Sequence, residues 1–387
     1  MTAVARGLRV APHLAVASVG YVLFAYAAVP ESLMQALDVG FAAFGLLMSA
    51  ALGAFVVAQA PASRLVDRHA ATRLLLAGTA VHAALAVALD LVSTFEALLA
   101  LRFLWGLAGG FVLSVGATQI SRVTTAGAAT REQGIYGGML TLGGAVGFLA
   151  APTLVTLPVG LNALGAVLSL PGLALSWRHR ATDATEPTAT STAATSVRRV
   201  LTHPVVVVAS LCYVAVISSY ITLSTFITAY YADLGVAGPL NAAVLLMATL
   251  GRAVGGTAVW SWPVGDRGLV GGSTAVGAIG FGALALASGT TLLLVLPLVA
   301  MVAVSLPFGA TYALAAAATD REGTAIAAMV AAGNVAALVV PAVTGALRDA
   351  TGSYTGGFLV LAVLNLVALG GVGLLVVPRQ SQMETSV

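Results

Sequence analysis

The sequence predicts an all-α membrane protein with twelve transmembrane helices in two six-helix bundles. Three observations carry this. Of 387 residues, 59% are hydrophobic and only 8% are charged, with a mean hydropathy of +1.01, far above the composition of a water-soluble domain. Twelve continuous apolar runs have the length, around 20 residues, that a helix needs to cross about 30 Å of hydrocarbon. A polar stretch interrupts the chain halfway, and the runs on its two sides share marks at equivalent places. Soluble enzymes and nucleic-acid binders are excluded, because 17 arginines and 14 acids cannot cover a water-facing surface of this size.

The first span, 12–30, follows Arg6 and Arg9. Ala25-Tyr26-Ala27 resembles a signal-peptidase site, but cleavage would spoil the pairing of halves, so this span is expected to stay. The second span, 41–62, leads into a loop from Ser63 to Arg73, and the third, 73–92, carries His82. The fourth, 95–120, contains Arg102; the fifth, 133–154, is rich in glycine and ends at Pro152; the sixth is 159–177. Between Arg178 and Arg199 lies a Thr/Ala-rich run that cannot bury enough apolar area to fold. It divides the chain into bundles at 1–179 and 201–387 joined by a flexible linker, 180–200. The second half runs through 204–231, 240–262 with Arg252 inside, 268–288, 291–316, 324–346 and 355–377. Arg131-Glu132 matches Arg321-Glu322, Pro152 matches Pro341, and Asp67-Arg68 matches Asp266-Arg267. Two matching halves are a hallmark of secondary transporters.

The basic residues are all arginine. Without lysine there is no Walker lysine for ATP phosphates and no Schiff base, which excludes an ATPase or a retinal pump. One cysteine, Cys212, excludes an internal disulfide and a multi-cysteine metal site. His13, His69, His179 and His203 are scattered, so neither metal nor cofactor is expected. With both termini in the cytoplasm, fourteen arginines lie inside, Arg348 alone lies outside, and Arg102 and Arg252 lie within helices. The positive-inside rule selects that orientation, in the cell membrane.

The loop Ser63-Arg64-Leu65-Val66-Asp67-Arg68-His69-Ala70-Ala71-Thr72-Arg73 resembles the loop motif of the major facilitator superfamily. Asp67, Arg68 and Arg73 match it, while Ser63 and Ala70 stand where glycines are usual. Arg102 with Gly106, followed by Gly110, is similar to the family's second motif. Gly138, Gly147 and Pro152 resemble the third, which marks the antiporter branch, although Ala151 replaces the glycine before proline. The resemblance implies a monomeric secondary transporter with a central site between two rocking halves. It also implies a gating latch built from Asp67, Arg68 and Arg73, and from Asp266 and Arg267 in the second half; a plain solvated turn is the rival reading. Helix packing and hinge roles fall to Gly106, Gly110, Gly138, Gly147, Pro152 and Pro341.

Arg102 and Arg252 come from opposite halves, and no acid lies deep in any helix to neutralise them. A bound anion is the expected partner, because two unpaired buried cations are costly. The bland alternatives are that Arg102 caps carbonyls of a neighbouring helix and that Arg252 snorkels to the interface. Tyr136, Tyr220, Tyr312 and Asn334 are candidates to orient the substrate. His82 is the candidate for a coupling proton, with an interhelical hydrogen bond as its other reading. The expected partners are therefore a small anionic solute, a proton and the lipid bilayer. Drug/proton antiport is the rival transport function, and a non-transporting receptor or membrane-embedded enzyme the rival of another class.

Overall fold

A computed structural model describes residues 3–66, 68–125, 128–157, 160–181, 196–236, 240–261 and 265–376. Secondary structure among the described residues is helical. Eleven helices are long and apolar enough to span a membrane, and a twelfth apolar helix is shorter. α1 (Ala3–Ala25) starts nine residues before the apolar run expected from the sequence. It ends in a 3-10 turn, Tyr26–Ala28, and a short helix, α2 (Pro30–Leu37), that the sequence reading does not anticipate. Proline opens α2 and Asp38 closes it at φ 52°. Leu33, Met34 and Leu37 pack on the core while Glu31, Ser32 and Gln35 are exposed, the pattern of a helix lying at an interface.

α3 (Phe41–Val66), α4 (Ala71–Leu89), α5 (Phe95–Val123) and α6 (Ala129–Leu154) follow. α7 (Ala163–Arg178) is the short one, and its start has a local cause. The carboxylate of Asp90, just past α4, accepts the backbone N–H groups of Asn162 and Ala163 at 2.9 and 2.7 Å, satisfying donors that the first turn leaves free. Residues 182–195, most of the expected linker, lie outside the described residues. The linker's last residues form a helical turn, α8 (Val197–Leu201), which Ser196 caps.

α9 (Pro204–Asp233), α10 (Leu240–Ser261) and α11 (Gly265–Leu286) each correspond to one apolar run. The tenth run breaks into α12 (Thr290–Ser305) and α13 (Phe308–Ala316) at Pro307, whose missing N–H interrupts the helical ladder. α14 (Glu322–Thr351) and α15 (Thr355–Val376) complete the chain.

Within the N-terminal set, α1 packs against α5, α6 and α7, and α3 and α4 flank α5. In the C-terminal set α9 packs on α14, and α11 on α15 and α12. The two sets meet along α6 and α10, with smaller contacts of α3 on α14 and of α13 on α6. The end that carries the N-terminus also carries the arginine-rich loops. At the opposite end Arg348 pairs with Asp233 at 2.7 Å.

Candidate functional site

The seam between α6 and α10 is tight at the arginine-rich end because both helices present glycine there. A Cβ on Gly134 would lie 2.6 Å from the Arg252 carbonyl, and one on Gly256 would lie 2.9 Å from the Arg131 Cα. Gly309 of α13 meets the Thr130 carbonyl just as closely. Thr141 and Thr249 share a hydroxyl–hydroxyl hydrogen bond of 2.8 Å further along. Towards the other end the two helices border a cavity of about 610 Å³, lined from both sets by Val29, Glu31, Pro152, Thr156, Thr228 and Asn241.

Arg252 lies on this seam and is fully buried. Its Nη1 donates to the Gly137 carbonyl of α6 at 2.6 Å. Its Cζ lies 4.5 Å from the Tyr220 ring centre and 4.3 Å from that of Phe308, so two rings offer it cation–π attraction. Nε and Nη2 are buried and meet no hydrogen-bond partner among the described residues. The ionisable groups acting on this charge are the phenols of Tyr220, Tyr213 and Tyr312, not a carboxylate. Tyr213 and Tyr312 join hydroxyls at 3.2 Å, and Tyr312 lies 5.2 Å from Phe308, ring to ring. The Tyr220 hydroxyl is buried without a partner among the described residues.

Arg102 is buried as deeply, but its surroundings differ. Its nitrogens donate to the carbonyls of Val22, Leu23 and Leu47 at 3.0, 3.4 and 3.5 Å. Val22 and Leu23 belong to the last turn of α1, where the negative end of the helix dipole favours a cation. Tyr26 and Trp105 lie against the guanidinium at 4.2 and 5.0 Å. Arg102 is thus a cap for its own set of helices, not the open cation that its position within an apolar span implies.

The other candidates divide in the same way. Tyr136 gives its hydroxyl to the Leu113 carbonyl of α5 at 2.8 Å. His82 shares Nε2 with the Ser18 hydroxyl at 3.2 Å and lies 5.6 Å from the Trp105 ring. Asn334, on α14, has a buried Nδ2 without a partner among the described residues. Gly106 and Gly110 lie against Ala51 and Phe55 of α3, and Gly147 against Tyr21 of α1. A Cβ on Gly138 would lie 3.4 Å from the Thr249 carbonyl across the seam. Pro152 and Pro341 lie inside α6 and α14.

Of the expected latch, Asp67 lies outside the described residues. Arg68 and Arg267 are exposed, and Arg73 donates to the Arg180 carbonyl at 3.2 Å. Asp266 reaches across the sets and accepts from Thr130 at 3.3 Å. Among the described residues no group of three His, Cys, Asp or Glu side chains is placed to hold a metal.

Sequence reasoning missed Phe308, the Gly137 carbonyl and the seam glycines Gly134, Gly256 and Gly309. The break at Pro307 is the one signal for Phe308. The glycines are visible only when the fifth and eighth spans are laid antiparallel. No curated protein matches the chain. The sequence model of the Major Facilitator Superfamily matches residues 13–268. With most of its helices inside that match, the chain belongs to the Major Facilitator Superfamily, a family of secondary transporters.

Proposed function

We propose that this transporter moves a small anion by alternating access, with Arg252 as the ligand of the anion. Supporting this is one observation above the others: a fully buried guanidinium whose Nε and Nη2 meet no hydrogen-bond partner, and on which no carboxylate acts, among the described residues. A charge so placed is costly until an opposite charge joins it. Arg102, already held by three carbonyls, positions α1 and α3 instead. The arginine-rich end is assigned to the cytoplasm on the bias of fourteen arginines to one. With that end sealed by the seam and a cavity open at the other, the conformation is outward-facing. Transport then rocks residues 1–179 against 201–387 about the site.

The test is uptake of a labelled anion panel into proteoliposomes, with and without a pH gradient, by the wild type and by Arg252→Gln. Arg252-dependent anion uptake is expected, and acceleration by the gradient would assign proton coupling, for which His82 is the candidate. Uptake of cationic amphipathic dyes that survives Arg252→Gln, with no anion uptake, would replace this reading by drug export.

A further inference from the structure

We infer that the Arg252 site takes compact monocarboxylates and discriminates against sulfate and phosphate. This rests on the reading of Arg252 as the anion's ligand, and three features of the site narrow the class.

The first is charge. Arg252 is the open buried cation, since Arg102 is already engaged with Val22, Leu23 and Leu47. One monovalent anion neutralises it. A dianion would carry an uncompensated negative charge into a region of low dielectric.

The second is shape. Nη1 is committed to the Gly137 carbonyl, which leaves Nε–H and Nη2–H. These two bonds lie on one edge of the guanidinium, parallel and in its plane, and their spacing matches the two oxygens of a carboxylate. The ring centres of Tyr220 and Phe308 lie within 4.5 Å of Cζ. A carboxylate uses both of its oxygens on this edge, whereas a tetrahedral anion has further oxygens to place among aromatic carbon.

The third is the body of the ligand. Phe308, Tyr213 and Tyr312 form one contiguous ring cluster beside the guanidinium. It offers apolar contact to a carbon skeleton, which nitrate lacks, while the unpartnered Tyr220 hydroxyl offers a third polar contact to a carboxylate. Arg252 and these rings are buried, which favours a skeleton of a few carbons.

The experiment is exchange of radiolabelled pyruvate in proteoliposomes of the full chain, with unlabelled competitors at equal ionic strength. The competitors are acetate, nitrate, sulfate and, in mildly acidic buffer, dihydrogen phosphate, which separates shape from charge. Acetate is expected to compete at a concentration at least tenfold below the other three, about the difference one well-formed charge-assisted hydrogen bond makes. Arg252→Lys keeps the charge and loses the fork, so exchange should persist while the preference shrinks to about threefold. Tyr220→Phe, which leaves fold and charge in place, should weaken acetate competition several-fold.

Sulfate or dihydrogen phosphate competing as well as acetate would overturn the shape and charge argument, and nitrate competing as well would overturn the carboxylate assignment. A different result strikes the underlying reading: pyruvate exchange with wild-type affinity in Arg252→Gln, or no exchange of any anion by the wild type, would remove Arg252 as the ligand altogether.

Discussion

Arg102 delivers its guanidinium to carbonyls of α1 and α3, while Arg252 gives one nitrogen to Gly137 and has two without a partner among the described residues. Their substitutions should therefore separate. Arg102→Gln strands carbonyls in the last turn of α1 and should lower stability by about 2–4 kcal/mol, with the competition order among anions unchanged in whatever folds. Arg252→Gln removes a poorly compensated charge, so thermal unfolding in detergent should occur no earlier than in the wild type while anion uptake is lost. Early unfolding of Arg252→Gln would mean that this arginine is as structural as Arg102. The sequence places both side chains inside apolar runs but leaves Arg252 the choice of burial or of snorkelling to the interface. It does not reveal their partners. Backbone carbonyls carry no residue signature, so a cap made by Val22 and Leu23 looks like any other pair of apolar residues.

The glycines of α6 serve two neighbours. Gly143 and Gly147 lie against α1, where a Cβ on Gly143 would run into the Ala17 carbonyl. Gly134 faces α10, where an added Cβ would lie 2.6 Å from the Arg252 carbonyl. Gly143→Val should destabilise the folded protein by about 1–3 kcal/mol, since both helices belong to one packed set. Gly134→Val acts on a seam that parts during transport on the proposed reading. It should leave unfolding temperature nearly unchanged and shift the population towards the form open at the arginine-rich end, raising maleimide labelling of a Cys placed at Ser121. Equal loss of stability in both variants would show that the seam is fixed packing. The spacing of glycines in the fifth span is visible in the sequence, but which of them meets the partner set is not. That depends on the rotation of α6 about its axis, and small residues on either face read alike. The break between α12 and α13 is partly legible through Pro307, and α2 escapes notice because eight residues are too few for a membrane span.

At the level of the whole molecule, hydropathy made the architecture readable, since lipid demands long apolar helices and little else can satisfy the backbone within it. The pairing of helices depends on shape, and the sequence carries it weakly. Sidedness rests on the arginine bias, and the chain suits a direct test because its one cysteine, Cys212, is buried. A Cys at Ser353 should react with an impermeant maleimide in intact cells, and a Cys at Thr190 only after the inner face is exposed. The reverse pattern would invert the assignment and turn the present conformation into an inward-facing one.

Arg252 lies five residues from the end of the membrane-spanning part of α10, Leu240–Thr257, roughly 7 Å from the arginine-rich end of that span, and on the proposed reading its charge sits within the electric field of an energised membrane. Joined to a monoanion, the site is neutral and crosses between its two forms without electrical work. Unloaded, it carries one positive charge, on which a potential of 100 mV exerts up to about 2.3 kcal/mol. Voltage should thus act on the return of the empty carrier and spare the loaded one. In vesicles clamped with valinomycin, one-for-one exchange should be indifferent to the potential, whereas net flux should slow or quicken with its sign.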